Sequence, residues 1–251
     1  MMTDPYSLTI IAFTFLLAGG VKGTIGLGLP VISLGILVAI FDLKTAMALV
    51  IMPAFVTNVW QATVGGNGIV ILKRLWPFMS FASATIWIGA IALISINTLY
   101  LSTLLGVLLL SYSSLHLIGI QFSIPLHREK WIGSLMGAAN GIFTGMTGSL
   151  SMPGVLYLQA IGLPRDMLVQ AMGILFLLST IGLAITLQNN SFLPSDLTTA
   201  SILAVIPSLI GMALGQNIRD KLSEEKFKRV VSSAIFLLGG FIIVKAGLSL
   251  Y

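Results

Sequence analysis

"GGVKGTIGLG", residues 19–28, sets one lysine among five glycines inside a stretch that otherwise reads as lipid-buried. Glycine is where a helix breaks most easily. A broken helix releases N–H and C=O groups that lipid does not satisfy, so such a break is buried in protein or lines a water-filled cavity. The reading of these ten residues therefore decides between a bundle of plain crossing helices and one built around interruptions.

The surrounding composition fixes the solvent. Of 251 residues, 57% are hydrophobic and only 8% charged, with a mean hydropathy of +1.03, well above the roughly 45–50% apolar content of a soluble domain. The chain reads as an integral membrane protein. Several apolar runs reach the roughly 20 residues a spanning helix needs, and none shows the alternation of a membrane barrel, so the class is all-α and polytopic. The amino terminus lacks the basic region and small-residue cleavage site of a secretory signal, and the first hydrophobic segment is expected to stay. Without cysteine there is no disulfide, thiol or Cys-based metal chemistry; no cofactor or metal is expected.

Apolar runs between Gly, Pro and charge punctuation give ten segments, at about 8–22, 27–41, 46–64, 76–94, 99–121, 132–145, 150–161, 167–187, 198–216 and 231–250. Segments of 12 to 15 residues rise only about 18–22 Å, short of a hydrocarbon core of about 30 Å. The pairs 8–22 with 27–41 and 132–145 with 150–161 are therefore expected to be re-entrant hairpins or broken helices. Letting each pair return to its own side collects Lys73, Arg74, Arg128, Lys130, Arg165, Arg219, Lys221, Lys226, Lys228 and Arg229 on one face, against Lys44, and Lys245 in the last turns, on the other. The positive-inside rule makes the first face cytoplasmic and puts both termini outside. The net charge of +5 then needs no nucleic acid to explain it; the expected localisation is the inner membrane, multi-pass, in contact with lipids. Residues 217–230 read as a cytoplasmic linker, either plainly solvated or resting on headgroups through Leu222 and Phe227.

The two short pairs share a pattern. Gly19, Gly23 and Gly26 recur as Gly141, Gly145 and Gly148, each 122 residues later, and Pro30 falls one position from alignment with Pro153. Each half then holds five segments, an odd number, so the halves, residues 1–122 and 123–251, are expected to be inverted repeats. Each would comprise a glycine-broken short-helix hairpin followed by about three spanning helices, with a binding site near mid-membrane where the repeats meet.

A helix amino terminus directs free donors and roughly half a positive charge at what lies before it. Leu29-Pro30 and Ser151-Met152-Pro153 place proline where its missing N–H costs least, and Ser149 or Ser151 is a candidate cap. Gly23, Gly26, Gly28 and Gly148 would let an anion approach the backbone, and Lys22 adds a full charge. The alternative is that the glycines only pack helices closely and Lys22 snorkels to an interface. Asn58 and Gln61, three apart on one helical face, offer neutral donors to a cavity or bond between helices. Asn140, Thr144 and Thr147, with Ser149, line the second break, where Thr144 matches Lys22; they bind ligand or satisfy the broken backbone. Gln170, Ser179 and Thr180 are weaker candidates than these, read first as packing. His116 is either a proton relay or a packed neutral group. All eight carboxylates, Glu129 among them, fall in terminal or connecting segments on this map, so cation coupling through a buried carboxylate has no visible residue.

"AGGVKGTIGLGLPVISLGIL" at 18–37, "MPAFVTNVWQA" at 52–62 and "GAANGIFTGMTGSLSMPGVLYLQAIGLP" at 137–164 together resemble the TauE/SafE sulfite exporter family, of the 4-toluene sulfonate uptake permease superfamily. The resemblance implies transport of a small sulfur-containing anion such as sulfite, sulfoacetate, thiosulfate or an organosulfonate. The chain departs from the family's richer glycine runs, with Gly26-Leu27-Gly28 in the first copy and Gly148-Ser149-Leu150 in the second, so a backbone anion cradle carries over more safely to the first break. A passive anion channel is the alternative, and an intramembrane serine hydrolase using Ser149 or Ser151 a weaker one, lacking any oxyanion-hole motif. A homodimer is compatible with the sequence, which fixes neither direction nor coupling ion.

Overall fold

The computed structural model describes residues 4–26, 28–120, 122–219 and 223–248; Leu27 of the first break and Leu222 of the expected linker lie outside the described residues. Among the described residues all regular structure is helical: α1 (Pro5–Ile25), α2 (Leu29–Ile40), α3 (Leu43–Thr63), α4 (Gly68–Ala84), α5 (Ile86–Ser95), α6 (Thr98–Ile118), α7 (Leu126–Thr147), α8 (Gly154–Ala160), α9 (Arg165–Asn189), α10 (Ser195–Leu203), α11 (Val205–Arg219) and α12 (Glu224–Leu248). By length and composition seven stretches in the described residues can cross a membrane, α4 with α5 and α10 with α11 each counting once. Phe13, Trp76, Ile91, Ile206 and Phe241 are exposed, side chains that lipid solvates and that soluble monomers rarely group on their surfaces. The protein is a multi-pass membrane protein.

The ends follow local chemistry. Asp4 caps α1 by accepting from the Ser7 N–H at 3.0 Å, with Pro5 in the first turn. Asn97 caps α6 through the Leu99 N–H at 2.9 Å, and Gly119, in the left-handed region at φ 78°, closes it. Two of the four expected short segments are longer than their apolar runs. α1 has 21 residues and α7 has 22, about 32 and 33 Å at 1.5 Å per residue, enough to traverse the hydrocarbon. Their partners remain short, 12 residues in α2 and 7 in α8. The charges that seemed to end these runs lie inside helices: Lys22 is buried in α1, and Glu129, expected in a connection, is buried in the first turn of α7. Likewise the linker is helical from Glu224, which places Phe227 in α12.

The helices form two compact units. The first contains α1, α2, α3 up to Pro53, α6, and α10 to α12. Here α1 lies backbone to backbone on α11: Gly19 and Gly23 leave no space for a Cβ against the Ser208 and Met212 carbonyls, and Gly211 and Gly215 meet those of Leu16 and Gly20. Close approach of this kind replaces the hydrophobic drive that lipid removes. α2 runs beside α6 and α12, and Lys245 donates to the Ala39 carbonyl at 3.0 Å at its carboxyl end, a favourable place for a cation. Pro53 has no N–H to offer Leu49. Ser201 of α10 supplies the donor instead, bonding the Leu49 carbonyl at 2.9 Å while accepting from the Met52 N–H at 3.1 Å.

The second unit contains the rest of α3, α4, α5, α7, α8 and α9. Gly137, Gly141 and Gly145 of α7 abut the carbonyls of Phe78, Ala82 and Ile86, and Gly89 of α5 abuts that of Ile142. At one end Arg74 of α4 grips Glu129 bidentately, with both N···O distances 2.8 Å. The Tyr157 hydroxyl of α8 donates to the Glu129 carbonyl at 3.1 Å, and Gly133 leaves room for that ring. Together these contacts tie α8 back to the start of α7.

Two outcomes are expected. Ser201→Ala, which leaves the Leu49 carbonyl unsatisfied, should cost about 1–3 kcal/mol, read as a lower Tm in detergent. Glu129→Ala should cost about 2 kcal/mol, less than a fully buried pair because Arg74 is partly solvated, whereas the double change of Arg74 and Glu129 to Leu should cost less than the single one; equal Tm values for all three proteins would contradict the packing described.

Candidate functional site

In the first unit, α1 continues through Lys22 and ends at Gly26, whose φ of 75° is left-handed and whose N–H donates to the Lys22 carbonyl at 2.8 Å. Gly28 follows at φ 110° and serves as the amino-terminal cap of α2 without a side-chain bond. Both positions require glycine for the chain to turn. Lys22 is 3% exposed, so the sequence reading of a lysine reaching headgroups does not describe it. Gly23 faces α11, which is the close-packing role weighed for it. Lys22 and the turn at Gly26 and Gly28 are what this unit brings to the break.

The second unit repeats the local geometry. Gly148 ends α7 at φ 72°, and its N–H donates to the Thr144 carbonyl at 2.8 Å, matching Gly26 and Lys22 at the same spacing of 122. From there the chain returns along α7 in a non-helical stretch before α8 begins at Gly154. The polar residues expected here hold this return. Thr144 Oγ1 donates to the Ser149 carbonyl at 2.9 Å, and Thr147 Oγ1 accepts from the Ser149 N–H at 3.2 Å. Asn140 Oδ1 accepts from the Gly154 N–H at 3.0 Å. Thr144, Thr147 and one end of Asn140 are therefore engaged in satisfying the interrupted backbone, the second of the two roles weighed for them.

What remains after that satisfaction is a set of buried donors. Asn140 Nδ2 and the Ser151 and Ser179 hydroxyls are buried and have no hydrogen-bond partner. Asn140 belongs to α7, Ser151 to the return before α8, and Ser179 to α9, which packs on both of those helices. Gly154, bonded to Asn140, sits against Leu175 of α9, Ser179 is one turn further along α9, and Ser151 is three residues before Gly154. An unpaired donor in a membrane interior costs several kcal/mol.

The amides expected on α3 divide. Gln61 Nε2 donates to the Val169 carbonyl and Gln170 Nε2 to that of Ala62, each at 2.9 Å, a reciprocal stitch between α3 and α9 that Gly173 permits by close approach. Gln61 is thus an interhelical bonding group. Asn58 Nδ2 reaches Thr180 Oγ1 only at 3.4 Å, longer than a good N–H···O bond, beside Ser179. Ser151, weighed from the sequence as a cap, and Ser179, read there first as packing, both have buried hydroxyls without a hydrogen-bond partner.

The comparisons with known proteins bear on this geometry. No curated protein and no solved structure matches the chain. The family described as Sulfite exporter TauE/SafE matches residues 11–242, which takes in both glycine breaks and nearly every helix. The chain belongs to the TauE/SafE sulfite exporter family.

Proposed function

We propose that the protein is a secondary transporter that moves a small sulfur-containing anion, such as sulfite, sulfoacetate, thiosulfate or an organosulfonate, across the inner membrane, with the anion bound at the glycine breaks. The observation that carries this reading is the group of buried, unpartnered donors in the second unit: Asn140 Nδ2, Ser151 Oγ and Ser179 Oγ. They are neutral, they have spare N–H or O–H capacity, and an oxyanion presents several acceptor oxygens to such a set. Buried Lys22 supports it as well, because a lysine ammonium inside a spanning helix marks a functional site by default.

Alternating access between inverted repeats 1–122 and 123–251 is the mechanism we infer. Two facts favour it. The glycine breaks have the same dihedral geometry at the same sequence offset. Moreover, the first helix of the first half packs on the third crossing of the second half, α1 on α11, while α7, the first helix of the second half, packs on α4 and α5 of the first; a two-fold pseudosymmetry would generate this exchange. Each break then has a packing partner drawn from the other half.

Sulfite uptake into proteoliposomes tests the reading. Lys22→Ala is expected to lower flux at least tenfold, and Ser151→Ala with Ser179→Ala to raise the half-saturating sulfite concentration about tenfold, the effect of losing roughly 1.4 kcal/mol of hydrogen bonding to a charged ligand. Asn140 is less suitable for this purpose because it also holds Gly154. Wild-type flux and affinity in all these variants would refute the assignment.

A further inference from the structure

The first unit contains a small cleft beside its glycine break, partly open to solvent and lined by Gly28, Tyr112, His116, Lys228, Ser232 and apolar neighbours. We propose that this cleft is a second anion subsite, holding a small oxyanion between His116 Nε2, Lys228 and Ser232 at the basic end of α2. The proposal rests on the reading that the cargo is an anion, and it adds a station on the route to the break.

Four features converge there. His116 Nε2 is buried with no hydrogen-bond partner, while its ring is fixed edge-on to Tyr112 with centroids 4.7 Å apart. A ring held in place with one nitrogen unsatisfied is oriented for something absent from the bonded network. Lys228 brings a cation from the first turns of α12, a segment that also carries Lys226 and Arg229. Ser232, one helical turn beyond Lys228, is buried on the same face and lines the cleft with it. Finally, α2 has 12 residues and points its amino terminus here, with Gly28 supplying no side-chain cap; the positive end of the helix is left to whatever fills the cleft.

The opposite end of the same unit provides a contrast. A larger cleft there is lined by Lys245 together with Asp42, and a carboxylate in the wall opposes an anion. Among the described residues, those lining the basic end include no carboxylate. The cleft also touches Gly28 itself, so an anion held by His116 and Lys228 lies beside the turn through which α1 passes into α2.

The test uses the full-length protein in oriented vesicles; because the chain has no cysteine, one introduced cysteine reports orientation. Sulfite is the probe. Lys228→Gln and His116→Leu should each raise the half-saturating sulfite concentration about tenfold when sulfite is offered on the face bearing Lys226 and Arg229, and leave it unchanged on the other face. Lys228→Arg should restore the wild-type value, and maximal flux should stay within about twofold. The combined variant should lose less than the product of the single losses, since both groups serve one ion. Wild-type half-saturation in both variants, or an equal shift on both faces, overturns the subsite. If the wild-type protein binds radiolabelled sulfite in detergent but carries none across vesicles, the transport reading fails while the cleft is still judged by binding: tenfold weaker retention in Lys228→Gln and His116→Leu supports it, and unchanged retention overturns it. Absence of any sulfite binding by the wild type overturns both.

Discussion

Peptide groups stripped of helical partners inside lipid have to be satisfied by something, and this constraint organises the molecule. Each lost backbone bond would cost several kcal/mol, and at several of them the chain supplies a specific polar atom. Ser201 stands in for the N–H that Pro53 lacks. Thr144, Thr147 and Asn140 hold the return from Gly148 to Gly154. Lys245 serves the carboxyl end of α2. Because these repairs are local and geometric, the interruptions are rigid features, and rigid donors are the kind that bind an ion with little reorganisation.

The distinction between repair and recognition then becomes a matter of counting bonds. An amide such as Asn140 has an acceptor and two donors; its oxygen is used by Gly154 and its nitrogen is not used by the protein. The same residue therefore supports both roles that the sequence left open. Gln61 and Gln170 resolve the other way, with their nitrogens bonded across α3 and α9. Glycine shows a similar division: Gly26, Gly28 and Gly148 turn the chain, whereas Gly19, Gly23, Gly141 and Gly145 bring helix backbones together.

Much of this was legible beforehand. Hydropathy located most of the crossings, and the offset of 122 pointed to both breaks, because αL turns in a membrane helix admit glycine almost alone. Helix ends were less legible where charge was taken as a boundary. Glu129 is buried because Arg74, 55 residues away, meets it, and no local pattern announces a partner so distant. For the same reason the sequence does not tell that the Ser151 and Ser179 hydroxyls are buried without a partner. Family membership agrees with the class of cargo read from the glycines and the lysine, and the word sulfur comes from that kinship alone.

The account's central claim is that buried donors at a helix interruption hold an oxyanion. Selenite has the three-oxygen pyramid of sulfite and a heavy centre that anomalous diffraction locates directly. In crystals of the protein grown with selenite, the account predicts a selenium peak whose oxygens lie about 2.7–3.2 Å from Asn140 Nδ2 and Ser151 Oγ. Selenium found only at the protein surface, with those two atoms bonded to water or to other protein groups, would contradict it.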